Sequence, residues 1–140
     1  MPTPHRTLAI AAAILALSAL AASARADTIG LHVASQHFPE KNFNNFNPGL
    51  YYRTDAGWTA GFYRNSLRRE SVYGGYTWSY AGIELTTGLV TGYQHKVQVL
   101  AVPSLTLFTY KGVTPRLAYI PRVEKKVGAQ VLHLMLEYAL

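Results

Sequence analysis

From Thr28 to Leu140, apolar and polar residues alternate with a period of two in one run after another. That period sends successive side chains to opposite faces of an extended strand, and a helix cannot satisfy it. Thr28–Ala34 sets Ile29, Leu31 and Val33 against Thr28, Gly30, His32 and Ala34, so His32 is expected to point away from the apolar face. The last run, Gln130–Leu140, sets Leu132, Leu134, Leu136, Tyr138 and Leu140 against Val131, His133, Met135, Glu137 and Ala139. A soluble sandwich would bury that leucine face, whereas a membrane barrel would turn it to lipid and place His133 and Glu137 in its lumen. This strand alone admits both.

The middle of the chain favours the barrel. Val72, Gly74, Tyr76 and Trp78 oppose Ser71, Tyr73, Gly75, Thr77 and Ser79, while Ile83, Leu85, Leu89 and Tyr93 oppose Glu84, Thr86, Gly88, Val90 and Gly92. Small and polar residues on the second face suit a narrow interior filled with side chains or holding one acyl chain. Eight strands are expected at about 28–37, 49–54, 58–66, 71–79, 83–93, 97–109, 114–120 and 130–140. Tight connections at Asp55-Ala56-Gly57, Tyr80-Ala81-Gly82 and Tyr110-Lys111-Gly112 alternate with longer ones at 38–48, 67–70, 94–96 and 121–129. Short periplasmic turns alternating with longer outer loops mark an outer-membrane barrel. The expected fold is therefore all-β, an eight-stranded antiparallel up-and-down transmembrane barrel.

The N-terminal segment agrees with that destination. His5 and Arg6 precede an apolar run from Leu8 to Ala22, and Ala24-Arg25-Ala26 offers a small-residue cleavage site, as in a secretory signal peptide. Residues 1–26 are read as the signal and 27–140 as one barrel domain. The chain has no cysteine, so an exported domain of this size must close by burial and hydrogen bonding. All ten Tyr, five Phe and two Trp lie beyond the signal. Thirteen Lys and Arg, less Arg6 and Arg25, against seven Asp and Glu leave the mature chain about +4. On the expected topology the outer loops collect Lys41, Arg68, Arg69, Lys96, Arg122, Lys125 and Lys126 against Glu40, Glu70 and Glu124. Such a collar suits the phosphates of lipopolysaccharide, and equally suits a solvated rim. Asn42–Gly49, with Phe43 and Phe46, reads as a turn-rich outer loop. His32 and His37 lack the further ligands of a metal site, and there is no phosphate loop or nucleic-acid motif.

Tyr63-Arg64-Asn65-Ser66, followed by Gly75-Tyr76-Thr77-Trp78, with Tyr119-Ile120-Pro121 near the C-terminus and His32 on the first strand, resembles the lipid A palmitoyltransferase (PagP) family of outer-membrane enzymes. There the matching positions read Asp-Ser, Gly-Tyr-Gly-Trp and Tyr-Ile-Pro. The resemblance implies transfer of a fatty acyl chain from a phospholipid to lipid A in the outer membrane of a Gram-negative bacterium, by a monomer without cofactor. It casts His32 as base and Ser66 as the essential hydroxyl, with Asn65 in place of the aspartate, Thr77 as the floor of the acyl pocket, and Pro103 and Pro121 as a lateral gate, while Arg68 and Arg69 of the collar are the lipid-phosphate contacts expected from charge. Two departures matter. An amide cannot stabilise an imidazolium as a carboxylate does, and Thr77 fills a floor that glycine leaves open, which predicts an acyl group shorter than palmitoyl, or no acyl chain at all. The other readings are a non-catalytic outer-membrane barrel, structural or adhesive, and a periplasmic lipocalin-like binder with the leucine face inward.

Overall fold

The computed structural model of the protein describes residues 26–40, 42–121 and 130–140. Eight strands follow in chain order: β1 (Thr28–Phe38), β2 (Phe46–Arg53), β3 (Trp58–Arg64), β4 (Glu70–Tyr80), β5 (Ile83–Thr91), β6 (Val97–Thr106), β7 (Val113–Ile120) and β8 (Gln130–Ala139). Each pairs antiparallel with the next, and β8 returns to β1, so the sheet closes into an up-and-down barrel. Closure removes the two free edges that an open sheet would expose. The expected signal peptide, residues 1–26, falls outside the described residues except for Ala26.

Alternation decides the faces. Thr59, Ser71, Thr77, Glu84, Arg116, His133 and Glu137 turn inward and are buried, while Leu31, Leu50, Phe62, Val72, Leu89 and Leu105 turn outward and are exposed. Val99 keeps 78 % of its surface. The barrel is thus polar within and apolar without, the reverse of a water-soluble sandwich. The expected assignment of His133 and Glu137 to the lumen holds.

Three details differ from the alternation read in sequence. On β1 the ladder to β8 slips between His32 and Ala34, so Val33 is an extra residue. Such a bulge reverses the parity beyond it. His32 still faces inward, but Ser35 and His37 follow it there, and Ala34 does not share the face of His32. Strand β2 begins at Phe46, so part of the expected outer loop continues the ladder, with Phe46 66 % exposed. Tyr93 lies beyond β5, after Gly92 turns the chain at φ +88°, and its hydroxyl reaches inward to that of Tyr63 at 2.6 Å.

The tight turns 55–57, 80–82 and 110–112 share one end of the barrel with Asp27 and Leu140. There the Leu140 amide donates to the Asp27 carbonyl at 2.8 Å. The Tyr52 hydroxyl and the Asp55 amide both donate to the Asp27 carboxylate and hold its pKa below the ordinary range. Exposed aromatics gather at this end, with Trp58, Trp78, Tyr80, Phe108, Tyr110 and Tyr138 all facing outward.

Close approach of two strands rests on one glycine pair. Gly75 of β4 faces Gly88 of β5 in register. A Cβ on Gly75 would stand 1.9 Å from the Thr87 carbonyl oxygen, and one on Gly88 2.1 Å from that of Gly74. The obstacles are backbone atoms that cannot swing aside. Gly88→Ala is therefore expected to cost about 3 kcal/mol, the upper part of the range for overpacking, read as a lowered midpoint in urea unfolding. Gly74, whose Cβ would point into open space 3.8 Å from its nearest neighbour, is the matched control.

Candidate functional site

The lumen has two unlike halves. Toward the tight-turn end, Arg53, Glu84, Arg116 and Glu137 form a ring of alternating charge. Arg53 Nη1 lies 2.8 Å from Glu84 and 3.0 Å from Glu137, and Arg116 Nη2 lies 3.2 Å from Glu84. The Arg116 Nε stands 3.4 Å from Glu137 without hydrogen-bond geometry. Tyr51 donates to Glu137 at 2.6 Å, and Ser104 and Thr106 accept from Arg116 at 3.3 and 2.7 Å. Two positive and two negative charges cancel, which is the condition for holding ions out of water. The ring floors a vestibule of about 340 Å³ open at the tight-turn end. Above it, the Thr59, Thr77 and Thr86 hydroxyls form a chain with steps of 2.8 and 2.9 Å. Thr77 is 1 % exposed, so the side chain expected at the floor of an acyl pocket is buried within this hydroxyl chain on the β3–β5 wall of the lumen.

Beyond these hydroxyls the lumen is apolar in part. Val90 packs with Tyr51 and Tyr73, and Leu100 and Met135 lie against them. Ala118 is also buried, at 1 % exposed. Tyr73 of this cluster also ends a hydrogen-bonded row of four side chains. The Ser35 hydroxyl meets His133 Nδ1 at 2.7 Å, His133 Nε2 meets His32 Nδ1 at 2.9 Å, and His32 Nε2 meets the Tyr73 hydroxyl at 2.8 Å. With both imidazoles neutral, the row is satisfied in either direction of donation. Its members come from β1, β8 and β4, and the Val33 bulge puts Ser35 in register with His133.

The residues expected to act together are placed apart. His32 is buried among Tyr51, Tyr63 and Tyr73, with ring centroids 5.0, 5.0 and 5.6 Å away, and its hydrogen bonds go to Tyr73 and His133. Asn65, with no exposed surface, binds the outer turn instead. Its carbonyl oxygen accepts from the Leu67 and Arg69 amides at 2.9 and 3.1 Å, and its amide donates to Ser71 and to the Gly92 carbonyl, both at 2.9 Å. Asn and Asp do this wherever a turn needs a side-chain acceptor. Ser66 sits in that turn, half-buried, its carbonyl accepting from the Asn44 amide at 2.9 Å. No hydrogen bond joins His32 to Asn65 or Ser66.

At the same end Arg68 donates to the Asn42 carbonyl and side chain at 3.0 and 3.2 Å, while Arg69 is exposed and reaches the Tyr93 carbonyl at 3.4 Å. His37 bonds Asn45 at 2.6 Å and stacks on Phe43, with centroids 4.7 Å apart. Phe43 thus covers a lumen histidine, whereas Phe46 faces outward. Of the expected basic collar, Lys41, Arg122, Glu124, Lys125 and Lys126 lie outside the described residues.

The seam between β6 and β7 is short. It pairs Ser104 with Ala118, Leu105 with Leu117 and Thr106 with Arg116, then stops. Pro103 follows at the stopping point, and a proline brings no N–H to a ladder. Val102 and Pro103 stay paired with β5, and Tyr119 and Ile120 with β8, so the two sides of the seam part company just above Ser104. Pro121 ends β7 on the other side of the same gap. Both prolines expected at a lateral gate therefore flank one interruption of the sheet.

Ser35, Tyr73 and His133 were not singled out in sequence as site residues. The inward parity of His133 and Tyr73 was legible; that of Ser35 was hidden by the bulge. No protein-family model matches the chain, nor does any curated protein or solved structure.

Proposed function

We propose that this protein is an outer-membrane barrel that admits a lipid acyl chain sideways, between β6 and β7, into the apolar half of its lumen, and transfers that chain to lipid A. The observation that carries this reading is the interrupted β6–β7 ladder at Pro103, with the apolar lumen residues Val90, Leu100 and Ala118 behind it. An acyl chain can pass from lipid through the barrel wall only where the sheet lacks ladder hydrogen bonds to break. Membrane residence is supported by the outward apolar face on every strand and by the exposed aromatics near the tight turns, which match the interfacial belt of membrane barrels. The charged ring and the threonine hydroxyls lie below, so the inserted chain has limited depth. That depth favours an acyl group shorter than palmitoyl.

A second reading, a non-catalytic barrel, is favoured by one specific observation: the hydrogen-bonding capacity of Asn65 is spent on its own turn and on Ser71, so it does not orient His32. Mass spectrometry of lipid A from cells expressing the wild-type chain separates the two. The acyltransferase reading expects a new, acylated lipid A species. Unchanged lipid A, with the folded protein recovered from outer membranes, would establish the non-catalytic barrel. In the same assay Ser66→Ala abolishes the species if Ser66 is the essential hydroxyl and leaves it intact if Ser66 only shapes the turn.

A further inference from the structure

We infer that Ser35 and His133 form the nucleophile and general base of the barrel, with His32 as a positioning residue. The inference rests on the lipid-handling reading for its substrate class, an acyl ester, and departs from the residues that the resemblance names. A serine becomes a nucleophile when a base stands within hydrogen-bond reach and a third group orients that base. Ser35 Oγ lies 2.7 Å from His133 Nδ1, and His133 Nε2 lies 2.9 Å from His32 Nδ1, which Tyr73 holds from its far side at 2.8 Å. By contrast, the Ser66 hydroxyl has no imidazole as a hydrogen-bond partner.

Position supports the same assignment. Ser35 pairs in register with His133, His133 with Ala118, and Ala118 with Ser104. This row crosses the barrel wall from β1 to β6 and ends at the last rung of the β6–β7 ladder, where Pro103 interrupts it. An acyl chain laid in through the gap would bring its ester to the level of the Ser35–His133 pair. Ser35 is half-buried, and its hydroxyl bonds to the inward-facing His133.

One direction of donation in the row suits the reaction. With the Ser35 hydroxyl donating to His133 Nδ1, His133 Nε2–H donates to His32 Nδ1, and His32 Nε2–H to the Tyr73 oxygen. Ser35 Oγ then forms a bond to the ester carbonyl carbon while its proton passes to His133 Nδ1. The bond from that carbon to the leaving alkoxide breaks, and His133 returns the proton to the departing oxygen. The resulting acyl-Ser35 is cleared by the reverse sequence. An acceptor hydroxyl gives its proton to His133 and bonds to the acyl carbon, and Ser35 Oγ leaves and is reprotonated. His32 accepts from His133 Nε2–H throughout and so fixes the ring that carries the charge.

The test is covalent labelling of the full folded barrel in detergent with a long-chain alkyl fluorophosphonate, which loses fluoride to an activated serine. A single adduct is expected on Ser35, absent from Ser35→Ala, and formed at least about 100-fold more slowly in His133→Gln, the size of a general-base contribution. The labelling rate of the wild-type barrel is expected to rise with pH as His133 loses its proton, and His32→Gln to shift that midpoint, which a merely structural histidine would not do. An adduct on Ser66, no adduct on the folded wild-type barrel, or a midpoint unmoved by His32→Gln overturns the assignment. The outcome is separable from the lipid A assay: labelled Ser35 with unchanged lipid A removes the lipid A substrate but keeps the nucleophile, whereas new lipid A made equally by Ser35→Ala removes the nucleophile alone.

Discussion

If the barrel transfers acyl chains as proposed, transfer is expected to fall to background when Val102→Cys and Ile120→Cys are introduced together and oxidised, and to return on reduction. The register of Ser104 with Ala118 and Leu105 with Leu117, continued two residues past the last rung, would set Val102 opposite Ile120 if the seam were drawn shut. A disulfide there staples the seam at the point where the sheet otherwise parts. Because the chain has no cysteine of its own, the engineered pair is the only source of cross-linking. The control is Gly74→Cys with Leu89→Cys, which face each other across the continuous β4–β5 ladder and turn outward; oxidation there should leave transfer unchanged. The readout is the yield of acylated lipid A before and after reductant. If the stapled seam transfers acyl chains as well as the open one, lipid does not pass between β6 and β7.

Removing Arg116 is expected to produce the largest loss of stability of any single substitution in the lumen. In Arg116→Ala, Arg53 is left to neutralise both Glu84 and Glu137, and the Ser104 and Thr106 hydroxyls lose the donor they share. Breaking a buried pair by removing one member typically costs 3–5 kcal/mol, because an uncompensated charge stays behind, and about that loss is expected here in urea unfolding. The double variant Arg116→Met with Glu84→Met keeps the volume and leaves Arg53 with Glu137 as a neutral pair. It should recover most of the loss. If the double variant is no more stable than Arg116→Ala, the cost lies in packing and not in the orphaned charge. Exposed pairs behave differently: Arg64 and Glu70, 3.6 Å apart on the rim with most of the glutamate in solvent, should contribute little to the same measurement.

These two predictions concern opposite halves of one interior, and the division has a physical cause. A lumen this narrow must be filled, because an empty one would forfeit contacts on every side. Near the tight turns the filling is ionic, which fixes strand positions through directed bonds and floors the open vestibule. Nearer the outer loops it is aromatic, aliphatic, imidazole and hydroxyl, with Tyr73 common to the apolar cluster and the hydrogen-bonded row.

The amino-acid sequence by itself determined the strand count, the turns and most inward-facing residues. Period-two alternation is a local property, so Thr77, Glu84, His133 and Glu137 could be placed in the lumen without knowing any partner. Tight turns bearing glycine at 57, 82 and 112 marked one end, since each of these glycines adopts the positive φ that other residues resist. Pro103 and Pro121 announced a weak place in the sheet, because a missing N–H is visible in the residue name. What only the tertiary structure decided was who meets whom. The extra residue at Val33 is a matter of register between β1 and β8, and it turned Ser35 inward against the alternation. The pairing of His133 with His32 spans 101 positions and depends on closure of the last strand onto the first. Asn65 and Ser66, expected to act with His32, are held in their own outer turn while Tyr63 packs against His32. Local pattern fixes which way a side chain points; the company it keeps there is set by barrel closure and register, which depend on contacts far apart in the chain.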